Sequence, residues 1–271
     1  MPTHSEIEAL LSDLARSDDW GFDAARAGLY LAALDNPEVE LARYESHLKD
    51  LASSAAARQQ EPPAEALAHV MTSLYGYRGD RHTYDDMKNA DLITVIDRRR
   101  GLPVALGLLY MSAAAGLQSK LVGLAFPGHF LMRIENGPER VVVDPFNDGK
   151  TCSPGTLRSL VKRVLGAKAE LEPAYFEPVS PRAVVIRLLM NIRIRALKAG
   201  RKERAIEIVR RMTLIAPRDA RLWADLAELH VSSGNLTAAK AAFERSIDGA
   251  PNENFRIAAE AALQSVNRKL N

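Results

Sequence analysis

The chain has 271 residues, 47% hydrophobic and 26% charged, a composition that fits one large or two modest globular domains and excludes bulk disorder. With 36 basic against 34 acidic residues the net charge is +2, so charge implies neither nucleic acid nor an acidic membrane as a partner. The single cysteine, Cys152, excludes an internal disulfide and a multi-cysteine metal site. The six histidines are scattered without zinc-motif spacing, so neither metal nor cofactor is expected.

In chain order, the first 75 residues read as helices. The start has no basic region followed by an apolar core and is not read as a signal peptide. SEIEALLSDLA opens on an apparent capping box, Ser5 with Glu8. VELARYESHLKDLA carries Leu41, Tyr44, Leu48 and Leu51 at helical spacing. PAEALAHVMTSLYG begins with a proline in its first turn. His47 and His69 are read as surface or boundary residues of these helices.

YGYRGDRHTYDDMKNADL, rich in Gly, Asp and Asn, reads as a long loop. Its His82, Tyr84 and Asp85 either rim a cleft or reflect loop polarity alone. Arg98, Arg99 and Arg100 read as a solvated helix end. Leu102 to Leu117 is too short to span a bilayer and is expected to be a buried helix, with Gly116 as its C-cap.

KLVGLAF, HFLMRI and RVVVD then supply three short strands. The last two form a hairpin, and a turn at Asn136-Gly137 would set His129 opposite Asp144 on one sheet face, with Cβ atoms about 4.5–5.5 Å apart. Pro138 donates no ladder hydrogen bond, so a longer loop is the alternative. The pair is either a structural hydrogen bond at a strand end or part of a catalytic site.

From Ser180 the chain is helical again and repeats. Gly200 recurs as Gly234, Ala205 as Ala239, Ala216-Pro217 as Ala250-Pro251, Leu189 as Trp223 and Val209 as Phe243. Every offset is 34 residues, the period of the tetratricopeptide repeat. Five helices are expected over 184–270, with Phe255, Ala258, Ala262 and Val266 striping a capping helix. Two repeats leave an apolar end uncovered, so burial of Leu188 or Leu189 against the central domain is expected.

RRRGLPVALGLLYMSAAAGL, FPGHFLMRI and VVVDPFNDG, as an ordered set, resemble the transglutaminase-like core of the SirB-type bacterial family. The resemblance runs over roughly residues 35–271. It implies an α+β chain with a helical N-terminal region over 1–78. A transglutaminase-like (papain-like) core with a small antiparallel sheet would follow over 79–178, then all-α tetratricopeptide hairpins with a capping helix over 179–271.

Such cores carry Cys, His and Asp in that order. A helix N-terminus lowers the thiol's pKa, a histidine shares its proton and an acid orients the ring. His129 and Asp144 fall on the family's histidine and aspartate positions, whereas the cysteine position falls near Pro103. Cys152, in the loop GKTCSPG, comes after the acid, in the reverse order. His129 and Asp144 are thus read as remnants of a degenerate triad, with Tyr84, Asn89, Pro103 and Phe126 as candidate cleft-lining residues. The expected function is a non-catalytic, cytoplasmic interaction or regulatory module, with a protein or peptide partner at the repeat groove. The alternatives are a hydrolase or amide-processing enzyme using the His–Asp pair with an unidentified nucleophile, and a sensor binding a small molecule or peptide in the cleft.

Overall fold

The computed structural model describes residues 1–270, in two compact units. The first comprises Met1–Leu10 and Ser17–Leu188, the second Leu11–Arg16 and residues 189–270.

The first unit is organised around α6 (Pro103–Ala114), a helix apolar on nearly every face. Leu106, Leu108 and Leu109 are fully buried. Helices α2 (Ala24–Ala33) and α3 (Leu41–Ala56) pack against it, and glycines set the approach. A Cβ at Gly28 would stand 2.7 Å from Leu108 Cδ1, and one at Gly116 would stand 1.9 Å from the Ala52 carbonyl oxygen. Gly116 therefore serves contact with α3, not the C-cap expected for it; the cap of α6 is Ala115, in right-handed backbone. On the sheet side, Gly107 lets the backbone of α6 close onto the Phe130 ring, 2.3 Å from where its Cβ would lie.

Helix α1 (His4–Leu14) carries a capping box two residues earlier than read: Thr3 N donates to Glu6 Oε2 (2.7 Å) and Glu6 N to Thr3 Oγ1 (3.3 Å). Helix α4 (Pro63–Ala68) continues into a π-helical turn, His69–Leu74. The stretch read as one long loop contains strand β1 (Arg78–Gly79), which pairs in parallel with β2 (Arg100–Gly101), and it leads into α5 (Leu92–Arg98). Arg98 and Arg100 are exposed at the end of α5, as expected for a solvated helix end, while Arg99 is half-buried. Arg98 pairs with Asp80 at 3.3 Å, and Arg99, left-handed at φ 57°, donates to Tyr77 and His47.

The sheet holds β3 (Lys120–Leu124), β4 (Met132–Asn136), β5 (Glu139–Asp144), β6 (Lys150–Thr151) and β7 (Pro178–Val179), all antiparallel, in the order β6-β5-β4-β3-β7. The hairpin turn is Gly137-Pro138, with Glu135 opposite Arg140, so the ladder is two residues away from the expected register. Gly137, at φ 57°, takes the first turn position, where the hairpin needs positive φ. Helix α7 (Pro154–Leu165) covers the sheet's far end, its Leu157, Leu160 and Val161 packing with Leu124, Phe126 and Leu131.

Helix α8 (Pro181–Lys198) runs on from the first unit through Leu188 into the second. There α9 (Lys202–Ile215), α10 (Ala220–Ser232), α11 (Leu236–Asp248) and α12 (Glu253–Leu270) follow as successive hairpins. The 34-residue period has a backbone counterpart: Gly200 and Gly234 turn the chain at φ 70° and 79°, and Ala205 and Ala239 are fully buried. Leu188, at the end of the first unit, and Leu189, at the start of the second, are buried; within the second unit Leu11–Arg16 group with the repeats, and Leu11 is fully buried.

Candidate functional site

The site gathers where β3, β4 and β5 end. Asp144 closes β5, and its carboxylate makes three contacts. Oδ1 accepts from the backbone N–H groups of Phe146 (2.9 Å) and Asn147 (3.2 Å), capping the 3₁₀ turn that the sequence Asp-Pro-Phe-Asn forms. Oδ2 lies 2.9 Å from His129 Nε2. A carboxylate only accepts, so Nε2 carries the proton and Nδ1 is the basic nitrogen of the neutral ring. The side chains are 18% and 8% exposed, which leaves the ring reachable and its acid covered.

His129 belongs to no strand. It sits in the bend before β4, three residues short of Met132. On the β4 side the last ladder bond joins Leu124 N to the Leu131 carbonyl, and on the β7 side Ala125 N donates to the Glu177 carbonyl (3.0 Å), so residues 126–130 are a loop that the sheet does not hold. Gly128 (φ 67°) lies against Val164 of α7, on one wall of this loop. On the other wall, Arg187 of α8 donates to the carbonyls of His129 (3.1 Å), Phe126 (3.3 Å) and Leu124 (3.4 Å).

Aromatic rings line the approach. Phe146 meets His129 edge-on at 6.3 Å and Tyr84 at 5.7 Å, and the Arg81 guanidinium lies 5.8 Å from its ring centre. Arg81 also donates to Asn147 Oδ1 at 2.7 Å. Gly79 makes this packing possible, since a Cβ there would stand 2.5 Å from the Phe146 carbonyl oxygen.

Of the six candidate residues, the structure brings three together: His129, Asp144 and, through Phe146, Tyr84, which is 42% exposed. Asn89 is a correction. It is fully buried and structural, donating to the Thr83 carbonyl (2.6 Å), while its own carbonyl accepts Leu102 N (2.8 Å) and so fixes the entry to α6. Phe126 is also buried core, edge-on to Tyr175 and Phe176 at 6.2 Å each. Pro103 is the buried first residue of α6. Phe146, Arg81, Asn147 and Arg187 were not singled out from sequence. Phe146 and Asn147 lie in the Asp-Pro-Phe-Asn element, but Arg187 has no local signal at all.

Cys152 precedes the N-cap of α7, Ser153, and is half-buried beside the α7 cluster, where its N–H donates to the Val142 carbonyl (2.8 Å). Burial, with the Asp144 carboxylate as a smaller cause, pushes its thiol up to about 11. That is the reverse of what activates a nucleophilic cysteine.

Residues 42–190 match the transglutaminase-like superfamily and residues 192–264 the tetratricopeptide repeat. A UPF0162 protein of Pseudomonas aeruginosa is 30% identical over 215 residues, covering 78% of this chain and 77% of that one. A UPF0162 protein of Vibrio cholerae is 30% identical over 192 residues, covering 68% and 71%. F-box only protein 21 of Homo sapiens is similar over a shorter stretch, 32% identical over 88 residues, or 32% of this chain and 14% of its own. No solved structure matches. Among the described residues, no helix is long and apolar enough to cross a membrane, and no cluster of potential ligands could hold a metal.

Proposed function

The chain belongs to the transglutaminase-like superfamily, with tetratricopeptide repeats at its C-terminal end, and on that premise we propose that it is a non-catalytic member acting as an interaction or regulatory module. One observation carries this reading. The helix that would present the nucleophile opens with Pro103, and the only thiol, Cys152, is held in its unreactive form. An imidazole and a carboxylate without a thiol form no acyl-enzyme. They retain the capacity to bind: Nε2–H is committed to Asp144, and Nδ1 accepts from a ligand N–H or O–H beside the Phe146 and Tyr84 rings.

The repeats supply a second surface. Ile194 and Leu197 of α8 are 47% and 40% exposed, which suits an apolar face of a partner peptide or helix. The cytoplasm fits a chain whose one cysteine is unpaired.

The test is an amide-hydrolysis and amine-transfer assay over a peptide panel, against His129→Ala/Asp144→Ala as background. No turnover above that background is expected. Turnover that Cys152→Ser abolishes in a folded protein overturns the reading, and turnover that needs His129 and Asp144 but not Cys152 favours a hydrolase acting through water.

A further inference from the structure

The loop that carries His129 has a specific physical problem. Residues 126–130 leave the ladder, so their carbonyls have no strand partner, and a carbonyl in a packed interior needs a donor. Three carbonyls, that of Leu124 at the end of β3 and those of Phe126 and His129 in the loop, point to one place. A single side chain meets all three: Arg187 sends Nη1 to Leu124 O (3.4 Å) and Nη2 to both Phe126 O (3.3 Å) and His129 O (3.1 Å).

Only a guanidinium does this. Its five N–H groups lie in one rigid plane and fan outward, whereas a lysine ammonium is a single compact point of charge. The plane is steadied from beneath. Its central carbon lies 5.4 Å from the centre of the Phe130 ring, and that ring is the one seated on Gly107 of α6. Guanidinium, ring and helix backbone are thus stacked, linking α8 to the helix that opens at Pro103. Across the loop, Gly128 is held against Val164. Burial lowers the pKa of Arg187, as it does for a cation taken partly out of water to serve neutral carbonyls.

We propose that Arg187 is the positioning residue of the His129–Asp144 pair: by holding the three carbonyls from α8, it fixes the loop backbone so that the imidazole keeps Nε2–H on Asp144 and presents Nδ1 outward. Asp144 needs no such help, because it is anchored at a strand end and capped by two backbone N–H groups. The histidine is the half of the pair that no strand holds, and the arginine is what fixes it. Arg187 lies two residues before the point where α8 enters the repeat unit, so the same helix both anchors the site and begins the repeats. This inference rests on the reading of the pair as the binding site, but its test needs no ligand. Discovery of turnover would overturn the proposed function and leave Arg187 untouched.

The test is ¹H–¹⁵N correlation of the histidine rings in ¹⁵N-labelled full-length protein, with His129 assigned through His129→Gln and the His47 ring as internal reference. In the unmodified protein, His129 is expected as one tautomer with a slowly exchanging Nε2 proton, and the Arg187 Nη protons as slowly exchanging. In Arg187→Lys, and in Arg187→Gln should the lysine variant not fold, the two His129 ring nitrogens should converge and the slow proton should be lost, with His47 unchanged. A purely structural arginine would lower Tm and leave the His129 ring pattern as it was, which overturns the proposal. So would a fast-exchanging Arg187 guanidinium in the unmodified protein, whatever the variants do.

Discussion

His129 Nε2 and Asp144 Oδ2 stand 2.9 Å apart, although the histidine is on no strand and the aspartate ends one. The two halves of the pair therefore carry unequal structural work. Asp144→Ala removes the ring's partner and also orphans the Phe146 and Asn147 N–H groups, whereas His129→Ala removes only the ring. Asp144→Ala should be the more destabilising, by about 1–3 kcal/mol, with a double-mutant coupling of about 0.5–3 kcal/mol between the two. Urea unfolding of both single variants and the double variant measures this.

Cys152 should be slow to alkylate. With its thiol pushed up to about 11, the thiolate fraction at pH 8 is far below that of an ordinary cysteine. Iodoacetamide should modify the native protein about one to two orders of magnitude more slowly than it modifies the urea-unfolded chain. Equal rates would place the thiol in water.

Acid should weaken the first unit in two separate windows. His47, half-buried beside Tyr77 and next to Arg99, has its pKa lowered from 6.5 to about 4, mainly by desolvation. Between those values the unfolded chain binds more protons, so stability falls as pH drops from about 6.5 toward 4. Asp80 is held down at about 2, chiefly by hydrogen bonds from Thr83. Its contribution is complete above about pH 4 and is lost between there and 2. His47→Gln should flatten the first decline in urea midpoint, and Asp80→Asn the second.

The repeats' apolar end should depend on the N-terminal helix. Leu11 is fully buried and groups with the repeat unit, so Leu11→Ala should cost about 2–5 kcal/mol there. Hydrogen exchange should show lost protection within residues 189–270. Unchanged protection there would assign Leu11 to the first unit instead.

What the sequence disclosed, and what it withheld, follows interaction range. The buried α6 was legible because Leu106, Leu108 and Leu109 leave no polar face, and the repeats because Gly200 and Gly234 mark the same turn 34 residues apart. The hairpin was legible in kind but not in register. Asn136-Gly137 is the stronger turn signal, yet the chain turns at Gly137-Pro138, where the proline is spared a ladder bond. A two-residue shift keeps every side chain on its face, so His129 and Asp144 still meet, from a loop in place of a strand. Strands β6 and β7 have two residues each, too short for any alternation. Asn89 looked like cleft polarity because a buried residue whose amide serves Thr83 and whose backbone carbonyl serves Leu102 has the same composition as a loop. Arg187 lies 58 residues from His129, a distance at which only the folded chain reveals the contact.

A thiol installed at the mouth of α6 would report whether Pro103 is what separates this site from a working triad. The measurement is the alkylation rate of Pro103→Cys in a Cys152→Ser background, followed from pH 5 to 9 with and without His129→Ala. The expected result is a thiol that reacts faster than native Cys152, with an apparent pKa below the ordinary value of about 8.5, and that loses this advantage when His129 is removed. A new thiol that reacts no faster than Cys152, or reacts equally without His129, would contradict the degenerate-triad reading.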